Sequence, residues 1–425
     1  MTAWTPAIVA GSLLAYAAVS RRLSGTMVTS AMVFVGIGLL VGPRVLDQLD
    51  AAPTGHGVRV LAEATLTLVL FGDASRIDLR ALRREYAVPA RLLGIGLPLT
   101  IVAGAAGAAA LFSKLTLIEA AVLGIMLAPT DAALGQAVVT LPELPSRIRQ
   151  GLNVESGLND GICVPLLLIA LAAAETQADL TTQSHAVTLV GEEIGYGILG
   201  GVVAGVIGAL VIVVAGRRKL ISPSWLQIVP VASAGLAYGI ANPLGGSGFI
   251  AAFVGGMVFG GLRRRGEGED TFLLDQLGGL LDSVTFLLFG AILLGPSLGR
   301  LTWQVAVYAV LSLTVVRMLP VALAMWRTGA RPPTVAFLGW FGPRGLASIV
   351  FAVIVVEEAR LPHTATILVV TYVTVGLSVL LHGLTAAPLA SRYARWFRSK
   401  PADHPPPMES VSAEPQRWRL TRSSS

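Results

Sequence analysis

The sequence is poor in the residues that soluble surfaces, redox centres and metal sites require. Only 13% of its 425 residues are charged, whereas soluble domains carry about 25% charged residues. The single cysteine, Cys163, excludes an intrachain disulfide, and the five histidines are scattered without the spacing of metal ligands. We therefore expect no cofactor, no redox chemistry and no transition-metal centre.

Apolar residues, in contrast, make up 54% of the chain, and the mean hydropathy is +0.73. This composition predicts an all-α integral membrane protein, because runs of about 20 apolar residues cross a bilayer as helices. We expect about 13 transmembrane helices and number the predicted spans as segments 1 to 13. They lie at residues 4–20, 26–43, 58–75, 88–112, 116–141, 147–174, 187–215, 225–241, 247–262, 277–296, 302–326, 334–357 and 362–390.

Basic residues predict how the chain crosses the membrane. Loops after odd-numbered segments contain 21 Lys and Arg residues, and loops after even-numbered segments contain 5. Because cytoplasmic loops carry the excess of basic residues, we expect an outside amino terminus and a cytoplasmic carboxyl terminus in the plasma (inner) membrane. This topology also accounts for the basic balance of the chain, so no nucleic-acid partner is implied.

Segment 6 contains an unusual group of polar residues, Glu155, Ser156, Asn159 and Asp160. An ionised side chain inside a bilayer costs about 2.5 to 3.5 kcal/mol on insertion scales, so such residues need a function or a partner. Ser156 and Asp160 are four residues apart and share one helix face. A carboxylate beside a hydroxyl is typical of a site for a small hard cation or of a proton carrier. The alternative is a polar seam that joins helices.

Two segments contain a proline near their middle, Pro129 in segment 5 and Pro343 in segment 12. Proline removes a backbone hydrogen bond and clashes with the preceding turn, so we expect both helices to break inside the membrane. Segments 5 and 12 cross in opposite directions, as in an inverted repeat in which segments 4 to 6 mirror segments 11 to 13. Nearby charges, Asp131 and Arg344, are candidates to neutralise the exposed helix ends.

The remaining charges in the apolar segments differ in how strongly they indicate a function. Arg317 and Arg344 lie in the middle of segments 11 and 12 and need partners at the same depth, and Glu155 is the candidate for one of them. Asp73 ends segment 3 and is either a solvated helix end or a gate to an inward-facing cavity. The other acidic residues near segment ends are expected at the membrane interface; they are Glu63, Glu119, Glu192, Glu193 and Asp282.

Together, the motifs A-P-T-D-A in segment 5, E-S-G-L-N-D-G in segment 6 and G-P-R-G in segment 12 resemble the Na⁺/H⁺ exchanger branch of the monovalent cation:proton antiporters. The resemblance extends over about residues 5–392 and includes L-G-G-S-G-F-I-A-A-F-V-G-G and V-V-R-M-L. The chain departs from the family pattern at Gly157, where a leucine is frequent, and in the position of Pro129, which precedes the aspartate instead of following it. The second departure leaves open which carbonyls face the ion.

The resemblance implies that Asp160 alternately binds a proton and a cation, Na⁺ or Li⁺. Ser156 and Thr130 would supply oxygen ligands, and Asp131 would lie close by. Asn159 matches the Asn-Asp pair of the electroneutral branch. No enzymatic activity and no cofactor are implied.

The resemblance also implies roles for residues around the ion. Glu155 would pair with Arg317, Asp73 would lie near the ion site, and Arg344 would lie beside the second helix break. The implied assembly is a homodimer in membrane lipid. We expect a transmembrane exchanger domain at 1–392, with a core at 88–174 and 302–390 and a scaffold and dimer region at 4–75 and 187–296, followed by a disordered cytoplasmic tail at 393–425.

The resulting hypothesis is a secondary active antiporter that exchanges Na⁺ or Li⁺ for H⁺ by alternating access, one for one. The core would move as a rigid body against the scaffold. Alternatives on the same fold are K⁺/H⁺ exchange and an organic-anion carrier, although an organic anion would favour cationic ligands. A remote alternative is an intramembrane aspartyl protease that uses Asp131 and Asp160. The sequence leaves open the preferred cation and the physiological role, such as pH homeostasis.

Overall fold

The computed structural model describes residues 4–23, 26–46, 56–77, 87–131, 134, 143–175, 180–216, 218–263, 271–358 and 361–399. Within these residues, each of the predicted segments has a helical counterpart. The second half of segment 5, the basic residues Arg80, Arg83 and Arg84, and the tail from residue 400 lie outside the described residues.

Fourteen helices account for the described part of the chain, because segment 12 is divided in two. Their bounds are α1 Thr5–Leu23, α2 Ser30–Val41, α3 His56–Ser75, α4 Ala87–Leu111, α5 Leu117–Met126, α6 Ser146–Glu175, α7 Leu180–Leu210, α8 Pro223–Leu244, α9 Gly248–Leu262, α10 Phe272–Arg300, α11 Trp303–Ala324, α12 Pro332–Trp340, α13 Leu346–Glu358 and α14 Thr364–Ser399. Seven of the helices in this part of the chain are long and apolar enough to cross a membrane, by length and composition. They are α4, α6, α7, α8, α10, α11 and α14.

Hydroxyl side chains determine where several helices begin. Thr29, Thr116, Ser247 and Thr302 each precede a helix in extended backbone and accept a hydrogen bond from an amide of its first turn. An N-cap of this kind satisfies an amide that has no partner within the helix. At α5 the cap is reciprocal, because the Glu119 side chain accepts from the amide of Thr116.

The helices pack in two groups. Helices α2, α3 and α7 to α10 contact one another and form a scaffold group, to which α1 is attached through α2 and α10. Helices α4 to α6 contact one another, as do α11 to α14, and together they form a core group. The two groups meet where α3, α7 and α9 of the scaffold lie against α6 of the core, where α3 and α10 lie against α13, and where α2 and α10 contact α14.

Glycines allow α7 to pack closely inside the scaffold group. A Cβ at Gly201 would collide with the backbone of Ala251 on α9, and a Cβ at Gly200 would touch Ala241 on α8. Both contacts lie within one chain, where the missing side chains let the helices approach closely. Gly195, on the same helix, faces open space.

The predicted start of a disordered tail at residue 393 needs correction, since α14 continues to Ser399. Tyr393 is buried, its ring stacks on that of Phe337 with centroids 4.3 Å apart, and Arg331 lies over the ring of Trp396. These aromatic contacts hold the last turns of α14 against α12, which hydropathy alone does not register.

Two acidic side chains that were expected at the membrane interface have oxygen atoms that the protein encloses. Glu119 is 1% exposed and accepts hydrogen bonds from the amides of Thr116 and His363 and contacts the His363 ring. The Oδ1 atom of Asp282 on α10 is also enclosed, although the residue as a whole is partly exposed. Position along a segment does not show which neighbours a side chain meets.

Candidate functional site

The helix of segment 5 breaks where the sequence places Pro129. Helix α5 ends at Met126, and residues 127–131 continue without helical structure. The carbonyl of Met126 accepts a hydrogen bond from Ser348 Oγ at 2.7 Å. The break therefore exposes backbone carbonyls in the middle of the core group, and a neighbouring helix satisfies one of them.

The helix of segment 12 breaks in the same way, and the two breaks touch. Helix α12 ends at Trp340, α13 begins at Leu346, and Pro343 lies in the non-helical residues between them. The amide of Asp131 donates to the carbonyl of Pro343 at 2.8 Å. The two broken helices thus cross through a direct backbone hydrogen bond.

A charged side chain from each break caps the opposite helix. The Asp131 carboxylate accepts a hydrogen bond from the amide of Leu346 at 3.0 Å, at the positive amino-terminal end of α13. The Arg344 guanidinium donates to the carbonyls of Ala128 and Pro129, at 2.5 and 3.1 Å, beyond the negative end of α5. Asp131 and Arg344 therefore lie at the half-helix ends that they were expected to neutralise.

Helix α6 passes the crossing and holds the segment 5 break in position. Asn159 Nδ2 donates to Thr130 Oγ1 at 2.7 Å, and Ser156 Oγ donates to the Thr130 carbonyl at 2.5 Å. The structure therefore brings Thr130, Ser156 and Asn159 together. A consequence is that the Thr130 carbonyl, the Thr130 hydroxyl and the Ser156 hydroxyl are concentrated within one small region.

Asp160 is the carboxylate of this group that lacks a compensating partner. It is 8% exposed, and its Oδ1 atom is enclosed without a hydrogen-bond partner in the described structure. Asn159 is 0% exposed, and its Oδ1 atom likewise has no hydrogen-bond partner in the described structure. Buried oxygens without donors are costly, and a bound cation or proton removes that cost.

Asp73 approaches the site from the scaffold group. A Cβ at Gly157 of α6 would lie 3.4 Å from the Cβ of Asp73, so the missing side chain lets α3 come close. Asp73 itself is partly exposed. Gly157, which departs from the family pattern, is thus the position where the scaffold carboxylate meets the core.

An enclosed ion pair links α6 to α11 beside the crossing. Arg317 donates two parallel hydrogen bonds to Glu155, Nη1 to Oε1 at 2.6 Å and Nη2 to Oε2 at 2.9 Å. Arg317 is 2% exposed and Glu155 is 1% exposed. The guanidinium also lies where a Cβ of Gly342 would be, so it packs against the backbone of the segment 12 break. The pair therefore fixes α6 relative to that break.

Sequence reasoning missed the polar residues of α14 that support the segment 12 break. Ser378 Oγ accepts from the amide of Arg344 at 2.6 Å and lies 3.1 Å from His382 Nδ1. His382 Nε2 lies 3.0 Å from the carbonyl of Trp340, the last residue of α12. These residues are at most 1% exposed. Their four-residue spacing within an apolar segment was a signal that could have identified them.

A family model described as the transmembrane sodium/hydrogen exchanger matches residues 9–392. The chain belongs to the sodium/hydrogen exchanger family. This membership supports the predicted all-α antiporter fold and the resemblance noted from the motifs.

Two named relatives are distant from this chain in sequence. The chain is 26% identical to a K(+)/H(+) antiporter NhaP of Alkalimonas amylolytica over 86% of its own length and 62% of that protein. It is 25% identical to a Na(+)/H(+) antiporter of Schizosaccharomyces pombe over 74% of its own length and 71% of that protein. The chain thus spans less than two thirds of the Alkalimonas relative.

A solved structure confirms the fold of this family member. The sodium proton antiporter MjNhaP1 from Methanocaldococcus jannaschii matches with a TM-score of 0.73 at 20% identity. The match covers 88% of this chain and 97% of that protein. The predicted inverted-repeat antiporter fold with broken helices in segments 5 and 12 is therefore confirmed.

Proposed function

We propose that the protein is a secondary active antiporter that exchanges a monovalent cation for protons across a membrane. The observation that carries the proposal is the enclosed Asp160 carboxylate at the crossing of two broken helices. The oxygens of Ser156 and Thr130 surround the same region. Membership of the sodium/hydrogen exchanger family supports this assignment and argues against the intramembrane protease.

Competition for one carboxylate is sufficient for coupling. Asp160 holds either a proton or a cation, and each loaded form is close to neutral. An empty, ionised Asp160 does not cross, because an unpaired charge in apolar surroundings is costly. The two ions therefore move in opposite directions and not separately.

The charges around Asp160 favour one-for-one, electroneutral exchange. Asp131 is engaged at the amino-terminal end of α13, and Glu155 is neutralised by Arg317. Asn159 is uncharged and holds Thr130. On this account Asp160 is the one group of the core site whose charge changes during the cycle, so each cation replaces one proton.

Na⁺ or Li⁺ is the proposed cation, bound by Asp160, Ser156 and Thr130 with Asn159, Asp131 and Asp73 close by. Small hard cations prefer carboxylate, hydroxyl and carbonyl oxygens, which are the groups gathered here. K⁺ is the second candidate, because a relative that covers most of this chain is named a K(+)/H(+) antiporter. An organic anion fits less well, since Arg344 and Arg317 are already engaged.

Alternating access requires that the core group move against the scaffold group. The proposed interface is the contact of α3 with α6 and α13, where Asp73 meets Gly157. We further propose a homodimer, an outside amino terminus and a cytoplasmic carboxyl terminus, on the basis of the family resemblance and of the asymmetric basic loops.

Proton flux in reconstituted vesicles tests the proposal. A pH-sensitive dye would be followed while Na⁺, Li⁺ or K⁺ is added in turn, with membrane voltage clamped and then unclamped. Flux with Na⁺ or Li⁺ that is independent of voltage is the expected result. Flux with K⁺ alone would identify the second candidate, and no flux with any of the cations between pH 6 and 9 would contradict the exchange of monovalent cations.

A further inference from the structure

Both ring nitrogens of His382 are engaged behind the segment 12 break. His382 lies on α14 and is 1% exposed. Its Nε2 atom lies 3.0 Å from the carbonyl of Trp340, and its Nδ1 atom lies 3.1 Å from both the hydroxyl and the carbonyl of Ser378. A buried imidazole with partners at both nitrogens has a fixed orientation.

The partners of His382 determine where its proton lies. A carbonyl only accepts hydrogen bonds, so Nε2 carries the hydrogen and donates to Trp340. Ser378 Oγ accepts from the amide of Arg344 at 2.6 Å, which leaves its own hydrogen to donate to Nδ1. A second ring proton would add a charge beside Arg344, which is fully buried, and beside Arg317, which packs against the same break. His382 is therefore the neutral imidazole with its hydrogen on Nε2.

The result is a chain of hydrogen bonds, the α14 relay, that joins the two sides of the break. It runs from the amide of Arg344 through Ser378 and His382 to the carbonyl of Trp340. Trp340 is the last residue of α12, and α13 begins at Leu346. Two side chains of α14 thus bind one backbone group from each side of the segment 12 break.

A second contact fixes the Trp340 end of the relay to α14. The indole Nε1 of Trp340 donates to Thr385 Oγ1 at 3.0 Å, and its ring lies 5.2 Å from that of His382 between centroids. This end of the break is therefore attached to α14 independently of the relay. The backbone of Arg344, at the other end, is what the relay positions.

Arg344 connects the α14 relay to the proposed cation site. Its amide is held by Ser378, and its guanidinium donates to the carbonyls of the two residues before Thr130. The carbonyl and hydroxyl of Thr130 are proposed ligands, so their position depends on that of Arg344. In the described part of the chain, His382 has no hydrogen bond to a residue of the proposed cation site.

We propose that His382 is a positioning residue for the cation site. Through Ser378 it holds Arg344, and with it the backbone of the segment 5 break, in the arrangement that a cation needs. This inference rests on the proposed exchange of monovalent cations. Without the relay, the cation must itself order the break when it binds, and that cost lowers its affinity. The carboxylate of Asp160 is untouched, so the maximal rate is retained.

The test compares His382→Leu, which removes both ring hydrogen bonds, with the matched control Thr374→Val. Thr374 is 0% exposed on the same helix, and its hydroxyl donates to the carbonyl of Val370 one turn earlier. Flux is measured with whichever of Na⁺, Li⁺ and K⁺ the wild type exchanges. His382→Leu should raise the half-maximal concentration of that cation roughly tenfold at an unchanged maximal rate per folded protein, and Thr374→Val should differ little from the wild type.

Two further variants keep the test independent of how well His382→Leu folds. His382→Gln, whose amide can donate to the Trp340 carbonyl, should lie closer to the wild type. Ser378→Ala interrupts the same relay, so its effect should resemble that of His382→Leu, and the double variant should be little worse than either. The proposal is overturned if Ser378→Ala leaves the half-maximal concentration unchanged, if Thr374→Val raises it equally, or if the two relay variants have additive effects.

Nitrogen NMR of protein with ¹⁵N-labelled histidine separates this inference from the proposed function. The signals of His382, identified by their loss in His382→Gln, should show a hydrogen on Nε2 and none on Nδ1. A hydrogen on Nδ1 would refute the relay whether or not the protein transports ions. Failure of the proposed function would appear differently, as absence of flux in the wild type.

Discussion

The ion pair between Glu155 and Arg317 provides the sharpest prediction about stability. Both side chains are at most 2% exposed and share two hydrogen bonds of 2.6 and 2.9 Å. Removing one partner leaves a buried, unpaired charge, which costs about 3 to 5 kcal/mol. Glu155→Leu should therefore destabilise the protein strongly, and Arg317→Met should have a similar effect.

Removing both charges together should cost less than removing either one. The double variant Glu155→Leu/Arg317→Met leaves no unpaired charge, and apolar replacements of a buried pair are frequently close to neutral. Thermal unfolding of purified protein, followed by tryptophan fluorescence, would compare the four members of this double-mutant cycle.

An exposed pair in the same chain supplies the matched control. Arg59 and Glu63 form an i,i+4 pair with side chains 47% and 21% exposed, and Arg59→Gln should cost less than about 1 kcal/mol. If the two core variants destabilised no more than this control, or if their effects were additive, the account of a coupled buried pair would be refuted.

Two further predictions concern the crossing. A Cβ at Gly345 would overlap the Asp131 carboxylate, so Gly345→Ala should lower the free energy of unfolding by about 1 to 3 kcal/mol and slow exchange. Gly279 faces open space, so the control Gly279→Ala should change neither property. Unfolding and flux measurements on both variants check this prediction. Loss of the Ser156 hydrogen bond to Thr130 costs about 1 kcal/mol, so Ser156→Ala should raise the half-maximal cation concentration roughly fivefold, and an unchanged value would contradict the role of Ser156.

The helical framework could be predicted because its signals are local. A run of apolar residues reports a membrane span wherever it occurs, and each predicted segment has a helix in the described residues. Pro129 and Pro343 likewise indicated the two breaks, since proline disrupts a helix at its own position. The depth of Arg317 and Arg344 indicated Glu155 as the partner of one of them, and the family resemblance implied that this one is Arg317.

Features that depend on packing could not be predicted from local sequence signals. Asp282 was expected at the interface because it lies near one end of an apolar run, and that position did not indicate that neighbouring helices enclose its Oδ1 atom. Glu119 lies close to a segment end as well, but the loop before α14 covers it through His363. In both cases a neighbour distant in sequence decides the environment.

The polar residues that support the segment 12 break could be predicted only in part. Ser378 and His382 are four residues apart in an apolar segment, so the helical period predicts a polar stripe on α14. That the stripe meets Arg344 and Trp340 follows only from the fold. Hydropathy similarly ended segment 13 too early, because the arginines near Tyr393 mask aromatic residues that pack against α12.

The most direct test of the central claim is proton flux in vesicles containing Asp160→Asn. Glu143→Gln, which changes an exposed carboxylate of the described structure, is the control for reconstitution and folding. The account predicts cation-dependent flux in the wild type and in the control, and none in Asp160→Asn protein that is folded and inserted. Retained Na⁺-, Li⁺- or K⁺-dependent flux in Asp160→Asn would contradict the assignment of Asp160 as the carrier.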